Sequence, residues 1–339
     1  MTAMSTSVRP TPSGGESSLA QAFRWHRPLM TLAAAMAGLL LVAVVGLVVD
    51  DRVLTGLPIW AKPTKFALSV LIYAVTWSWL IAQLGRVRRT AWWLGTVAAA
   101  FLGVEMVIIV GQVLRGTTSH FNQTTPFNSM LWRIMGMSIV LVWLATLAVC
   151  VILFRNSGID RGRTLAVRGG SVLAVVGMAL GFLMVMPTSR QIAEGESISG
   201  AHTVGLADGG PGLPLLGWST VGGDLRIPHF VGMHALQLIP LVAIGLEFLA
   251  RRWPVLGQQV VKVRLVVVAV VGYTALLGVL TWQALRGQSI IHPDALTALA
   301  LGAIVVCGAV AVFATLRARR PDATDRSVDA DTEGDLVAG

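Results

Sequence analysis

Eight stretches of this chain are almost continuously apolar, and each is long enough to cross a lipid bilayer as a helix. A helix needs about 20 apolar residues to span the hydrocarbon core, whereas strands of a membrane barrel are about 10 residues long and alternate apolar with polar. The runs cover residues 29–49, 60–84, 91–114, 130–154, 169–187, 228–250, 264–285 and 295–317. The pattern predicts an all-α fold, a polytopic membrane bundle of eight transmembrane helices with the lipid bilayer around it.

The distribution of Lys and Arg predicts the orientation of these helices. With the N-terminus in the cytoplasm, 18 of the 26 Lys and Arg residues fall on the cytoplasmic side, as the positive-inside rule expects. We therefore expect a multi-pass protein of the inner (plasma) membrane with both termini cytoplasmic. Only 13% of the residues are charged, against about 25% in soluble domains, which excludes an ordinary soluble enzyme and a disordered protein. The net charge of +9 follows from this topology, and no nucleic-acid partner is predicted.

Outside the spans, composition predicts two disordered tails and one long outer loop. Residues 1–28 are predicted as a disordered cytoplasmic segment, residues 29–317 as the transmembrane domain, and residues 318–339 as a disordered acidic cytoplasmic tail. The outer loop 188–227 is about 40 residues long, which is uncommon for a connection in a compact protein. Trp218 and its leucine neighbours favour an ordered lid over a flexible linker. Both cysteines lie inside spans, so no disulfide is predicted.

Polar residues concentrate at the predicted outer side, which also holds five of the six histidines. Three outer segments, Gly56–Phe66, Arg115–Asn122 and Gly223–Gln237, are especially rich in polar residues, glycine and proline. They follow the patterns GxPxWxKPxKF, RGTxSHFN and GDLRxPHFxGxHxxQ. Together they resemble an uncharacterised family of bacterial polytopic membrane proteins, across roughly residues 50–250. This resemblance implies an eight-helix membrane fold and brings no activity with it.

The sixth span carries most of the chemistry expected at the outer side. At about 100° per residue, Met233 and Gln237 lie within about 80° of His229, and His234 lies at about 140°. Pro240 falls on the same side and leaves one backbone carbonyl without its helical partner. We expect so polar a wedge to face the bundle or a wet cavity rather than lipid.

The third span supplies the single carboxylate deep in any predicted span. Glu105 lies about 14 Å below the predicted outer end, level with Gln237, and shares a helix face with Gln112. An acid at mid-membrane depth costs about 2.5–3.5 kcal/mol to insert, so Glu105 is a functional candidate. The alternative is a structural hydrogen bond to a neighbouring helix.

Two further patterns concern packing rather than chemistry. Gly177 and Gly181, four residues apart in the fifth span, predict a close contact with another helix. At the predicted inner side, Glu247 lies one turn before Arg251, which predicts an ordinary surface pair. The inner loops as a whole are interpreted as simple charged connectors.

These features predict one polar pocket near the outer face. Glu105 and His234 are its candidate catalytic residues, and His120, His229 and His234 are candidate metal ligands. The candidate substrate-binding residues share this side of the membrane and are Lys62, Lys65, Gln112, Arg115, Asn122, Arg133, Asp224, Arg226 and Gln237. The alternative for the two lysines is extension toward lipid headgroups.

Several functions remain open for such a pocket. Histidine and methionine suit haem or a transition metal, so the first hypothesis is a haem- or metal-dependent redox protein. Eight helices with outer-side histidines are similar to haem A synthase, although the second span here carries Lys rather than His. A buried acid beside outer cations fits a transporter or a proton- or anion-coupled permease that takes a small molecule or ion. A non-catalytic sensor or assembly partner is the third alternative; enzyme status, cofactor and oligomeric state are left open.

Overall fold

The computed structural model describes residues 18–85, 87–156, 160–187 and 189–318, and in these ranges the chain is almost entirely helical. Its elements are α1 (Ser18–Phe23), α2 (Arg27–Val49), β1 (Val53–Leu54), β2 (Leu57–Pro58), α3 (Ala61–Ala82), α4 (Arg88–Leu114), α5 (Pro126–Arg155), α6 (Arg161–Leu180), α7 (Phe182–Val185), α8 (Ser189–Glu194), α9 (Arg226–Leu249), a 3₁₀ turn (Pro254–Gly257), α10 (Gln259–Leu285) and α11 (Ala295–Arg317). The predicted disordered tails fall on residues 1–17 and 319–339, outside the described residues, except that α1 and the start of α2 lie within the segment 1–28.

The prediction of eight apolar helices is confirmed. Within the described residues, eight helical segments are long and apolar enough to cross a membrane, with α6 and α7 together forming the fifth. The fifth helix begins at Arg161, eight residues before the predicted start at 169. The apolar pattern marks only the part of a helix that suits lipid, whereas Asp160 caps the polar first turn and accepts a hydrogen bond from the Arg163 amide at 2.7 Å.

The chain forms two compact units, Met1–Ile152 and Leu153–Gly339. In the first unit α3 packs against both α2 and α4. Tyr73 on α3 and Thr146 on α5 are joined by a hydrogen bond of 3.1 Å between their hydroxyl groups. Trp60, which the sequence interprets as an interfacial residue, packs its ring against Gly46 and donates its indole N–H to Asp50 at 2.8 Å.

The second unit has its apolar core where α6, α9 and α10 meet. The predicted close contact at Gly177 is confirmed, because a Cβ atom added there would overlap the backbone of Gly232 on α9. Gly181 lies similarly close to the ring of His229, where an added Cβ would fall 2.9 Å from the ring carbon Cε1. The glycines allow backbone to approach backbone, which is how membrane helices gain packing contacts without a hydrophobic driving force.

The predicted inner end of this unit holds an ion-pair network, and the interpretation of Glu247 and Arg251 as a pair is wrong. Glu247 accepts two hydrogen bonds from the Arg163 guanidinium, one of them 2.7 Å from Nε. Lys262, only 5% exposed, donates to Asp160 and lies 3.2 Å from Glu247. Arg251 instead lies over the Phe248 ring. Partners on other helices outcompete the neighbour one turn away because they are held in place by packing.

Candidate functional site

Glu105 and His120 meet in the first unit. Glu105 is 5% exposed on α4, and its Oε1 lies 3.8 Å from Nε2 of His120, in the loop between α4 and α5. Oε2 of Glu105 makes no hydrogen bond to any residue that the structure describes. The other ring nitrogen, Nδ1 of His120, is 3.2 Å from the Ser119 hydroxyl. A buried acid and an imidazole therefore face each other at a distance slightly longer than a hydrogen bond.

Aromatic rings enclose this imidazole. Ring centroids of Phe66, Phe121 and Trp132 lie 5.7, 6.1 and 5.5 Å from that of His120. Phe121 is 4% exposed and has φ of 62°, a left-handed conformation that costs a bulky residue about 1–2 kcal/mol. Strain of this kind persists where surrounding packing imposes it, often at a functional site. It turns the chain directly after His120 and buries the Phe121 ring against Trp132.

Two lysines on α3 approach the pair from one side. Nζ of Lys62 lies 5.8 Å from the centroid of the Phe66 ring, and its charge acts on the Glu105 carboxyl. Lys65 is half-buried one position before Phe66. A cation that is held near both the acid and the ring favours the ionised carboxylate and opposes the cost of burying it.

A network of amide side chains lies one to two turns further along α4. Gln112 donates to the Thr118 carbonyl at 3.1 Å and to Oδ1 of Asn128 at 3.2 Å. Arg115 donates to the Gln112 and Asn128 side-chain oxygens at 2.5 and 3.0 Å. Asn122 donates to Thr118 and accepts from Nδ2 of Asn128 at 3.4 Å. The network fixes the loop that carries His120.

The structure places the remaining first-unit candidate elsewhere and adds one residue that the sequence did not single out. Arg133 is exposed on α5, and no hydrogen bond or ion pair joins it to the described part of this group. Asn128, buried in the first turn of α5, contacts Gln112, Arg115 and Asn122. Its signal in the sequence is weak: an amide directly after Pro126 and Phe127, six positions beyond another amide.

In the second unit the candidate histidines are held by local contacts. His229 donates from Nδ1 to the Gly177 carbonyl at 2.8 Å, so it ties α9 to α6 at the glycine contact. His234 lies beside the Phe230 ring, with a centroid distance of 6.1 Å, and interacts with Gln237. Oε1 of Gln237 has no hydrogen-bond partner among the described residues. The two histidines therefore serve different contacts, as their angular separation on the helix predicts.

Asp224 and Arg226 organise the long loop that precedes α9. Asp224 is 1% exposed, and its carboxylate accepts from the Ser219 amide at 2.8 Å and from the Arg226 guanidinium at 2.5 Å. Arg226 also donates to the Gly217 carbonyl. Gly223 lies against the end of α10, where an added Cβ would overlap the Ala284 carbonyl group. These two candidate substrate residues are thus engaged in holding the loop.

A second carboxylate, Asp208, closes the other half of this loop. It accepts from Nδ1 of His202 at 2.5 Å and from the His202 amide at 3.0 Å. Burial acts to raise the pKa of Asp208, but the hydrogen bond and charge of His202 outweigh it and hold the pKa below the ordinary value. A carboxyl whose pKa is depressed by folding stabilises the fold above its unfolded pKa and loses that contribution as the pH falls through the folded value.

We expect Asp208→Asn to loosen residues 200–225 at neutral pH, because hydrogen bonds to a charged acceptor contribute about 1.5–3 kcal/mol. Amide hydrogen exchange in this segment should become at least about tenfold faster, and acidifying the wild type below about pH 4 should have the same effect. Glu194→Gln, an exposed acid of the same connection, is the control and should exchange as the wild type does. Equal exchange in wild type and Asp208→Asn would refute this role.

A metal centre does not fit the candidate ligands. Within the described residues no group of three or more His, Cys, Asp or Glu side chains is arranged to hold an ion. His229 is engaged with Gly177, and His120 faces one carboxylate inside a wall of aromatic rings. Transition metals take three or four such ligands in most protein sites. No step through a metal or haem is therefore derived.

Comparisons with known proteins return no match: no family model fits the chain, and no curated protein or solved structure is significantly similar to it. The resemblance of the three outer segments to a membrane-protein family stays a prediction.

Proposed function

We propose that this multi-pass membrane protein is a proton-coupled permease of the inner membrane, with both termini cytoplasmic and its proton site near the outer face. The observation that carries the proposal is the buried Glu105 carboxyl lying 3.8 Å from the His120 imidazole. Both groups bind and release protons, and intramembrane acids of this kind commonly mark proton relays.

The surroundings of the pair support exchange of a proton rather than a fixed salt bridge. Oε2 of Glu105 lacks a hydrogen-bond partner among the described residues, which leaves an acceptor to take up a proton or a water. With His120 protonated and Glu105 ionised the two attract, and with both neutral the burial cost of the charges disappears. Lys62 shifts this balance toward the carboxylate, so movement of Lys62 would change proton affinity.

The neighbouring network supports recognition of a small polar or anionic solute. Gln112, Arg115 and Asn128 place amide groups and a guanidinium together one to two turns from Glu105. A guanidinium binds carboxylate or phosphate groups bidentately. In this proposal, a solute that competes for Arg115 loosens the loop carrying His120, which couples solute binding to the proton site.

Protonation of Glu105 is tested first, because it needs no knowledge of the solute. We expect pH-difference infrared spectra of the reconstituted full chain to contain a protonated-carboxyl band that Glu105→Gln removes and His120→Gln shifts in pH. Asp51→Asn, an exposed acid in the same unit, is the matched control and should leave the band in place. A band that survives in Glu105→Gln would refute the proton site.

Coupled transport is tested in proteoliposomes with a trapped pH-sensitive dye and a panel of small anions. Wild type and Asp51→Asn should acidify the lumen when a transported anion is added outside, and Glu105→Gln should reduce the initial rate at least about tenfold. Glu105→Asp, which keeps the acid, should retain part of the rate. Anion-driven acidification that is equal in wild type and Glu105→Gln would exclude proton coupling at this residue.

A further inference from the structure

An open groove rich in arginine lies at the opposite end of the first unit from Glu105, where α2 and α4 begin. It has a volume of about 560 Å³, and its eight lining residues include four arginines and, within the described chain, no acid. The four arginines, all exposed, are Arg24, Arg27, Arg88 and Arg89. Guanidinium groups stay charged at any physiological pH, so the groove concentrates positive charge without a lining carboxylate to balance it.

The floor of the groove is neutral and rigid. His26 is 1% exposed; it accepts the Leu29 amide at Nδ1 and donates from Nε2 to the Trp92 carbonyl at 2.8 Å. Burial lowers the pKa of His26, which keeps the imidazole uncharged in these two contacts. Because His26 joins the start of α2 to α4, the arginines on both helices are held around one opening.

The first turn of α4 adds to the attraction for anions. No side chain caps this helix at Val87, so its first amides and the positive end of its dipole are available at the rim, beside Gly85 and Arg88. A phosphate group is matched by this combination, since guanidinium groups bind it bidentately and helix N-termini bind it through backbone N–H groups.

Aromatic residues place the groove at the level of lipid headgroups. Trp25 and Trp92 line it, and the adjacent Trp93 is 57% exposed. Tryptophan is enriched where membrane meets water, and both helices enter their apolar runs directly after these residues. Basic pockets between transmembrane helices on the cytoplasmic side are recognised sites for the phosphates of anionic lipids.

We propose that this groove binds the headgroup phosphate of an anionic phospholipid such as phosphatidylglycerol. Each arginine near the membrane surface contributes about a fivefold gain in affinity for anionic lipid. The headgroup phosphate lies against the Arg88 and Arg89 side of the groove while the acyl chains remain in the bilayer beside α2 and α4. The bound lipid balances the charge at the α2–α4 junction.

Native mass spectrometry of the full chain in detergent tests this site, with phosphatidylglycerol, phosphatidylcholine and inorganic phosphate as probes. The wild type should bind phosphatidylglycerol in preference to phosphatidylcholine. The double variant R88Q/R89Q should bind phosphatidylglycerol about 25-fold more weakly, with little change for phosphatidylcholine. The matched control R251Q/R252Q removes two adjacent exposed arginines of the other unit and should bind as the wild type does.

Two results would overturn the proposal. Equal weakening in R88Q/R89Q and R251Q/R252Q would indicate general charge rather than a site, and displacement of the lipid by millimolar inorganic phosphate would assign the groove to free phosphate. Arg24→Gln, tested alone, provides a second variant if the double variant has a lower melting temperature than the wild type. It should weaken phosphatidylglycerol binding about fivefold.

Discussion

Gly177→Leu is expected to lower the free energy of unfolding of the protein by at least about 3 kcal/mol, because the site has no room for a side chain. A Cβ atom alone would overlap the Gly232 carbonyl carbon and the Met233 amide nitrogen, both of which are backbone. Only separation of α6 from α9 relieves such a clash. That separation also breaks the hydrogen bond from His229 to the Gly177 carbonyl and opens the core of the second unit.

Equilibrium unfolding in mixed detergent micelles measures this effect, with Gly278→Leu as the matched control. Gly278 lies on α10 in the same unit, and a Cβ there would meet nothing within 4 Å. We expect the control to unfold close to the wild type and Gly177→Ala to fall between the two leucine variants. If both leucine variants had the same stability, the close glycine contact would not be important for the fold.

The features that the sequence predicts well depend on local spacing. Apolar runs of bilayer length need no knowledge of their neighbours, so eight helices follow from them, and the four-residue spacing of Gly177 and Gly181 predicts a close contact without naming its partner. The ends of the helices are predicted less well. Polar first turns such as that of α6 continue the helix beyond the lipid and are invisible to a hydropathy pattern.

The features that the sequence misses depend on partners that are distant in the chain. Lys262 and Asp160 are 102 positions apart, and Arg163 and Glu247 are 84 apart, so neither pair has a spacing rule. Counting charges by side of the membrane therefore attributes all of these inner cations to topology. The role of His26 is hidden for the same reason, because its Trp92 partner lies 66 positions away.

The candidate site follows the same division. The depth of Glu105 in its span singles it out from sequence, and the structure brings His120 to it. Asp224 and Arg226 look like binding residues because they are polar and at the outer side, yet the carboxylate and guanidinium are used in fixing a loop. Polar residues in outer loops serve backbone groups as often as ligands, and only the hydrogen bonds distinguish the two uses.

Lys262→Met is expected to lower the free energy of unfolding by about 2–3 kcal/mol, because it leaves two carboxylates facing each other without their shared cation. Lys262 is buried at 5% exposure and contacts both Asp160 and Glu247. Loss of one partner from a fully buried pair costs about 3–5 kcal/mol; the cost is smaller here because the two acids keep 25–29% of their side-chain surface exposed. Glu247 also keeps its Arg163 partner.

The pH dependence of this loss distinguishes the ion pairs from simple packing of the lysine stem. Burial acts to raise the pKa of Asp160, but hydrogen bonds from Lys262 and the Arg163 amide outweigh it and lower that pKa, so the ionised form is favoured on folding. The stabilisation is complete above the unfolded pKa of about 4 and is lost as the pH falls through the folded value. The difference in unfolding free energy between wild type and Lys262→Met should therefore shrink below about pH 4. Arg264→Met, an exposed cation on the same helix, is the control and should change stability by less than about 0.5 kcal/mol. A loss in Lys262→Met that stays constant down to about pH 3 would assign its effect to packing of the side chain, since Asp160 and Glu247 would then be largely protonated in the variant.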